Sequence, residues 1–311
     1  MENISRRNLL GLGMAATGSL LVPETALASV APKSNFKICL NTSTIMKQKV
    51  GLMKEIEMAA KAGFKGIEVW VSTIEEYVKA GGKLADVRKK ASDLGISIED
   101  VIGFSNWMSD DPAVRATALE QSKREMDMVK QIGCNRMAAP PFGSTKDLVA
   151  LEDSATRFKE LCKLGSQMAV QPQLEIWGFS NNIHLVGQSL FIAAESGHEN
   201  PAILADVYHL HKGGSAENAL NLIPGKQIQI FHMNDYPAEP GRENINDSHR
   251  VMPGDGVAPM NKILKTLHKK NTPISLSLEL FSEKYWAMPA KEVLAIGFDK
   301  MQTAVAKALS S

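Results

Sequence analysis

Four residues in the second half of the chain share a placement that suits a metal site. Each follows a short apolar run. QPQLE ends at Glu175, AILAD ends at Asp206, QIQIF runs into His232, and ISLSL runs into Glu279. Three carboxylates and an imidazole form an oxygen and nitrogen donor set suited to one divalent ion, Mn, Mg, Co or Zn. Any one of them taken alone reads equally well as a member of a buried ion pair. Four consecutive apolar runs that all end in a ligand type point instead to convergence.

Convergence requires a fold that brings strand ends together. Strand-like and helix-like stretches alternate along the chain. Strands are expected at Phe36–Leu40, Gly66–Val71, Ile96–Ile102 and Asn135–Ala139, then in the four runs that deliver Glu175, Asp206, His232 and Glu279. Helices are expected at Leu52–Ala62, Ile74–Leu94 with an interruption at Gly81-Gly82, Pro112–Ile132, Leu148–Met168, Val186–Ser196, Ala216–Leu222, Pro259–Lys269 and Pro289–Leu309. Strict alternation implies parallel strands joined by helical crossovers. Eight such units favour an α/β fold closed as a (β/α)8 TIM barrel in one domain, whose strand C-termini share one face. No GxGxxG follows the first strand, so a dinucleotide fold has little support. The polar stretch from Asp235 to Val257 is the longest loop, and long loops in compact domains are often functional.

Composition narrows the partners. The chain has 311 residues, 44% hydrophobic, with a formal net charge of +1. That balance offers no basic field for nucleic acid and suits a small-molecule partner. Cys39, Cys134 and Cys162 are far apart in sequence and odd in number, so they read as core thiols rather than a disulfide or zinc framework. The N-terminus carries Arg6-Arg7, a moderately apolar run and Ala26-Leu27-Ala28. This order resembles a twin-arginine export signal with an A-x-A cleavage site. The expected division is a signal at 1–28, a linker at 29–35 and the barrel at 36–311. The expected location is periplasmic or exported, with no membrane segment in the mature form. No feature specifies an oligomeric state.

Several motifs occur in a telling order: GFKGIEVW at the second strand, LEIWG, D-x-x-H from Asp206 to His209, H-x-N-D from His232 to Asp235, R-x-x-P-G-x-G from Arg250 to Gly256, and LSLELF. Together they resemble the xylose isomerase-like TIM-barrel superfamily, the branch called sugar phosphate isomerases/epimerases. That superfamily also holds ketose 3-epimerases, hydroxypyruvate isomerases, inosose dehydratases and apurinic endonucleases. The resemblance spans essentially the whole chain after the leader. It implies that Glu175, Asp206, His232 and Glu279 bind one divalent metal, and that His209 and Arg250 contact substrate oxygens. It also implies catalysis by Glu175 and Glu279, which would remove and return protons through an enediolate. Return to the opposite face is epimerisation, and return to the neighbouring carbon is isomerisation. Loss of a β-substituent makes the same site a lyase or dehydratase on a keto-sugar or keto-glycoside. A carbohydrate-binding barrel without turnover is the reading of another class, and the pair of glutamates speaks against it.

Further candidates rest on position. Trp70, Trp107, Trp177 and Trp286 fall near strand ends on the presumed active face, where a ring either stacks on sugar or packs. Trp177 is taken as a substrate contact. Glu68 either reaches the same pocket, also as a substrate contact, or sits in a barrel layer. Asp235 either orients His232 or caps a turn. Asp247 and His249 resemble the D-x-H pair of the endonuclease branch, which leaves a second metal open at Asp247, His249 and His209. The first histidine is His184, so the early strands lack the histidines that branch needs for its metal cluster. No Gly-rich phosphate cradle follows strands seven or eight, which favours an unphosphorylated sugar.

Overall fold

Short strands rich in branched apolar residues on the face that helices cover are what a parallel barrel demands. The computed structural model describes residues 34–216 and 218–310. The expected signal at 1–28 and most of the linker lie outside the described residues. Eight strands run Phe36–Asn41 (β1), Gly66–Trp70 (β2), Ser97–Ile102 (β3), Arg136–Ala139 (β4), Gln171–Glu175 (β5), Ala202–Asp206 (β6), Ile230–Met233 (β7) and Ile274–Leu278 (β8). All pairings are parallel, in the order β3-β2-β1-β8-β7-β6-β5-β4. β3 and β4 lie side by side without a shared ladder, so the ring is a nearly closed (β/α)8 barrel.

Helices cover its outside: Leu52–Ala62 (α1), Val71–Lys79 (α2), Leu84–Asp93 (α3), Pro112–Gln131 (α4), Leu151–Met168 (α5), Val186–Glu195 (α6), Val207–Gly213 (α7), Met260–Lys269 (α8), Glu283–Trp286 (α9) and Ala290–Ser310 (α10). Most match the expected spans closely. The Gly81-Gly82 interruption separates α2 from α3, and Gly81 adopts a φ of 89°. The sixth helix differs. It was expected at Ala216–Leu222, where the structure has only a 3-10 turn over Ala219–Leu222. The helix instead starts directly at Asp206, whose carboxylate accepts from the His209 backbone N–H at 2.9 Å and caps α7.

The main core lies between strands and helices, where Leu40, Leu276 and Leu278 are fully buried. The barrel's inside is different. Only Ile102, Ala138, Leu204 and Ile230 form an apolar plug there, with Trp70 and Phe104 packed against it. Many of the other inward positions are polar, among them Glu68, Asp100, Gln173 and Ser277. A register shift between β2 and β3 pairs Ile67 with Ile98 but Glu68 with Asp100. The extra residue, Glu99, meets Lys37 at 2.6 Å and Arg136 at 3.5 Å near the strand N-termini. Asp100 accepts from Gln173 Nε2 at 2.8 Å deeper inside. This bulge sorts two adjacent acids into separate layers.

Candidate metal centre

β-Pairing brings the predicted donors level. Asp206 pairs with His232, and His232 pairs with Ser277. Glu279 follows β8 and donates its N–H to Met233 O at 3.0 Å, and Glu175 ends β5. Donor atoms of Asp206, His232 and Glu279 all lie within 4.8 Å of one another, the one such group of three or more among the described residues. His232 Nδ1 stands 3.1 Å from Glu279 Oε2, 3.8 Å from Asp206 Oδ2 and 3.9 Å from Glu175 Oε1. Glu175 therefore flanks the tighter trio. Nδ1 is buried, yet no carboxylate is angled to accept a hydrogen bond from it. Three carboxylates gathered around one buried imidazole nitrogen make a donor set that fits a divalent ion.

The electrostatics of the site follow from burial. Burial lowers the His232 imidazole, but the Glu279 and Glu68 carboxylates outweigh it and raise it overall. Burial pushes Glu175 up to about 8, with His232 opposing and Glu279 adding. Glu279 is lowered overall, since His232 and Arg250 outweigh its burial.

Arg250, only 1% exposed, spans the donors. Its Nη1 donates to Asp206 Oδ2 at 2.9 Å and to Glu279 Oε2 at 2.8 Å, and its Nη2 donates to Asp247. The guanidinium lies 4.5 Å from the Tyr208 ring centroid and 5.1 Å from that of Phe281. The loop that presents it is fixed by Asp235. That carboxylate accepts from the N–H groups of Tyr236, Gly254 and Ala258 at 2.8, 3.0 and 2.9 Å. Asp235 therefore caps the turn of the R-x-x-P-G-x-G motif and does not touch His232. A Cβ at Gly256 would fall 2.2 Å from Tyr236 O, which explains that glycine.

His209 sits beside Arg250. The Gly178 N–H donates to its Nδ1 at 3.1 Å, and a Cβ on Gly178 would meet His209 O at 2.5 Å. Burial first, then the Arg250 charge, push the imidazole down to about 4. A neutral ring that accepts at Nδ1 carries its proton on Nε2. Nε2 lies 3.1 Å from Arg250 Nη2. Two donors side by side suit a ligand oxygen that accepts from both.

A cavity of about 410 Å³ opens over these groups, bordered by Glu175, Glu279, His209, Arg250 and Asp247. Its walls are aromatic: Trp70, Phe104, Trp177, Phe179, Phe281 and Trp286. Three of the expected tryptophans are therefore at the site. Trp107 is not; it is 3% exposed, and its Nε1 donates to Pro140 O at 2.6 Å. Glu68, expected at the substrate, is fully buried beneath His232 and does not border the cavity. His249 turns Nδ1 to the Asn246 N–H at 3.2 Å, so Asp247, His249 and His209 do not form a donor group among the described residues. His211 stacks on Tyr236, with centroids 3.9 Å apart, away from this cavity.

Sequence reading missed two asparagines. Asn41 Nδ2 donates to Glu279 Oε1 at 3.0 Å and to Glu68 Oε2 at 3.2 Å. Asn234 Nδ2 donates to Asp206 Oδ2 at 2.9 Å, while its Oδ1 accepts from Tyr208 N at 3.0 Å. The signal was there for Asn234, inside H-x-N-D. Asn41 closes the first apolar run as the donors close theirs.

Comparison with known proteins agrees with this architecture. The chain is 24% identical over 278 residues to an inosose isomerase of Bacillus velezensis, covering 87% of this chain and 98% of that protein. It is 24% identical over 253 residues to a 3-dehydroshikimate dehydratase of Pseudomonas putida, covering 79% of this chain but 38% of that protein. A crystal structure of the IolI protein with a bound zinc atom superposes with a TM-score of 0.79 at 23% identity, covering 88% of this chain and 100% of that one. An L-ribulose 3-epimerase superposes at 0.71 with 18% identity, covering 88% of this chain and 95% of that one. The family model described as xylose isomerase-like TIM barrel matches residues 56–303. This chain belongs to the xylose isomerase-like TIM barrel family.

Proposed function

We propose that this protein is a divalent-metal-dependent isomerase or epimerase of an unphosphorylated sugar or keto-sugar. The observation that carries the reading is the buried His232 Nδ1, without a hydrogen-bond partner and facing the Asp206, Glu279 and Glu175 carboxylates, two of which, Glu175 and Glu279, border an aromatic cavity. Those four side chains would hold the ion. When bound, it would supply Lewis-acid stabilisation of negative charge on substrate oxygens. Glu175 and Glu279 border the cavity from two strands, so each can take or return a proton at carbon. His209 Nε2–H and Arg250 Nη2 would orient a carbonyl or hydroxyl oxygen, and the aromatic walls would cover the sugar faces and exclude water.

The lining also argues against a phosphate. It carries the carboxylates Glu175, Asp247, Glu279 and Glu283, and its one guanidinium already serves Asp206, Glu279 and Asp247. The inosose isomerase and 3-epimerase likenesses support proton transfer next to a carbonyl. The 3-dehydroshikimate dehydratase likeness favours a second reading, in which the same proton abstraction expels a β-hydroxyl or β-alkoxy group.

The test is incubation of the Mn²⁺-loaded protein in D₂O with free and 3-keto sugars, followed by NMR. Deuterium at a carbon beside a carbonyl, abolished by chelation, is the expected result. The product then separates isomerase from epimerase from dehydratase. Glu279→Gln should lower the exchange rate by about 10²–10⁴-fold. Sugar binding by the loaded protein without any exchange across the panel would overturn the catalytic reading in favour of a binding barrel.

A further inference from the structure

Glu68 is a fully buried carboxylate that borders no cavity. Its Oε1 lies 3.0 Å from His232 Nε2, and its Oε2 accepts from Asn41 Nδ2 at 3.2 Å and from Ser277 Oγ. A buried charge in a barrel is unfavourable unless donors surround it, and an apolar residue would serve packing better. Here three donors surround it, and two of them lead to the metal centre.

The first is His232. A carboxylate only accepts, so the proton between the two groups sits on Nε2. Nδ1 is then the nitrogen turned toward Asp206 and Glu279, the one an ion would take. The second is Asn41, whose own orientation is fixed. Its Oδ1 accepts from Trp70 Nε1 at 2.9 Å and Ser43 N at 3.0 Å, so the amide nitrogen must be the end that reaches Glu68 and Glu279. One asparagine thus ties Glu68 to a second candidate ligand. The neighbouring interior acid is arranged differently. Asp100 bonds to Gln173 Nε2 and the Val101 N–H and reaches none of the donors by hydrogen bond.

We infer that Glu68 is a positioning residue of the metal centre: it holds His232 with its proton on Nε2 and, through Asn41, sets the Glu279 carboxylate. Ion affinity therefore depends on a side chain that touches neither ion nor substrate, as with histidine ligands whose second nitrogen is held by a carboxylate. The inference rests on the metal reading above. Its test has one arm that does not.

That arm is ¹⁵N-histidine NMR of the chelated protein. The His232 Nε2–H proton, assigned by its loss in His232→Asn, should exchange slowly with solvent. It should exchange faster in Glu68→Gln and vanish into solvent exchange in Glu68→Ala, while Asp100→Asn leaves it in place. The second arm is Mn²⁺ titration. Affinity should fall about 10-fold in Glu68→Gln and 10–100-fold in Glu68→Ala, and stay within 2-fold in Asp100→Asn. Glu68→Gln preserves volume, so it decides the matter if the alanine variant does not fold. Unchanged proton exchange and affinity in folded Glu68 variants would overturn the inference, as would an equal loss in Asp100→Asn. A wild-type protein that takes up no Mn²⁺ would overturn the metal reading, and the proton arm would then decide the role of Glu68 alone.

Discussion

Single residues here are placed in environments that ordinary solution chemistry would not predict. Glu55 of α1 is 4% exposed, and its Oε2 has no hydrogen-bond partner. Burial, with a smaller contribution from Glu76, pushes its carboxyl up to about 7. Between about pH 4.5 and about pH 7 the unfolded chain has released this proton and the folded chain still holds it. Raising the pH through that window therefore favours unfolding. The loss should be on the order of 3 kcal/mol, complete about one unit above pH 7. Glu55→Gln should remove it, leaving the variant more stable than wild type at pH 8 and closely matched at pH 4. Urea titrations at the two pH values measure this. A variant less stable than wild type at pH 8 would show that the charged form is accommodated after all.

Elements act by presenting residues in pairs. The D-x-x-H spacing does two things at once, because Asp206 ends β6, caps α7 and faces His232, while the first turn of α7 carries His209 over the cavity. The R-x-x-P-G-x-G loop works similarly. Its geometry rests on the three N–H groups gathered by Asp235, so the loop, rather than the arginine alone, delivers the guanidinium. Asp235→Ala should cost about 2–4 kcal/mol, because three donors lose a charged acceptor. It should also weaken sugar binding by the loaded protein, since Arg250 is no longer held. Thermal unfolding and calorimetric sugar titration check the two effects. Stability lost with sugar affinity intact would mean that Arg250 is positioned by its carboxylate partners alone.

At the scale of the whole molecule, the barrel gathers carboxylates that repel one another. Asp206, Glu175 and Glu279 surround one imidazole, and Arg250 bridges two of them. An ion bound only by the folded chain adds to stability by mass action, about 2.7 kcal/mol at a hundred times its dissociation constant. Chelation should therefore lower the melting temperature by several degrees, and Mn²⁺ or Zn²⁺ should restore it. Asp206→Asn should flatten this response. A melting temperature indifferent to both chelator and ion would remove the main support for the metal centre.

The sequence by itself determined the alternation of strands and helices, because apolar period, glycine stops and helix-starting prolines are local signals. It also determined the four candidate donors, because each sits where an apolar run stops, and in a parallel barrel such positions share one face. The third dimension decided the rest. Whether Glu68 faced the cavity or the barrel interior depended on the layer its strand register gave it, with Glu68 beside Asn41 and Asp100. Trp107 and Trp177 are alike in local sequence terms, yet one donates to Pro140 O in the core and the other lines the site. α7 was hidden because its start is a side-chain cap on a residue also read as a ligand. The hydrogen bonds of Asn41 and Asn234 to the donors join residues 238 and 28 positions apart. Local patterns encode where a strand ends; only closure of the ring sets which side chains meet across it.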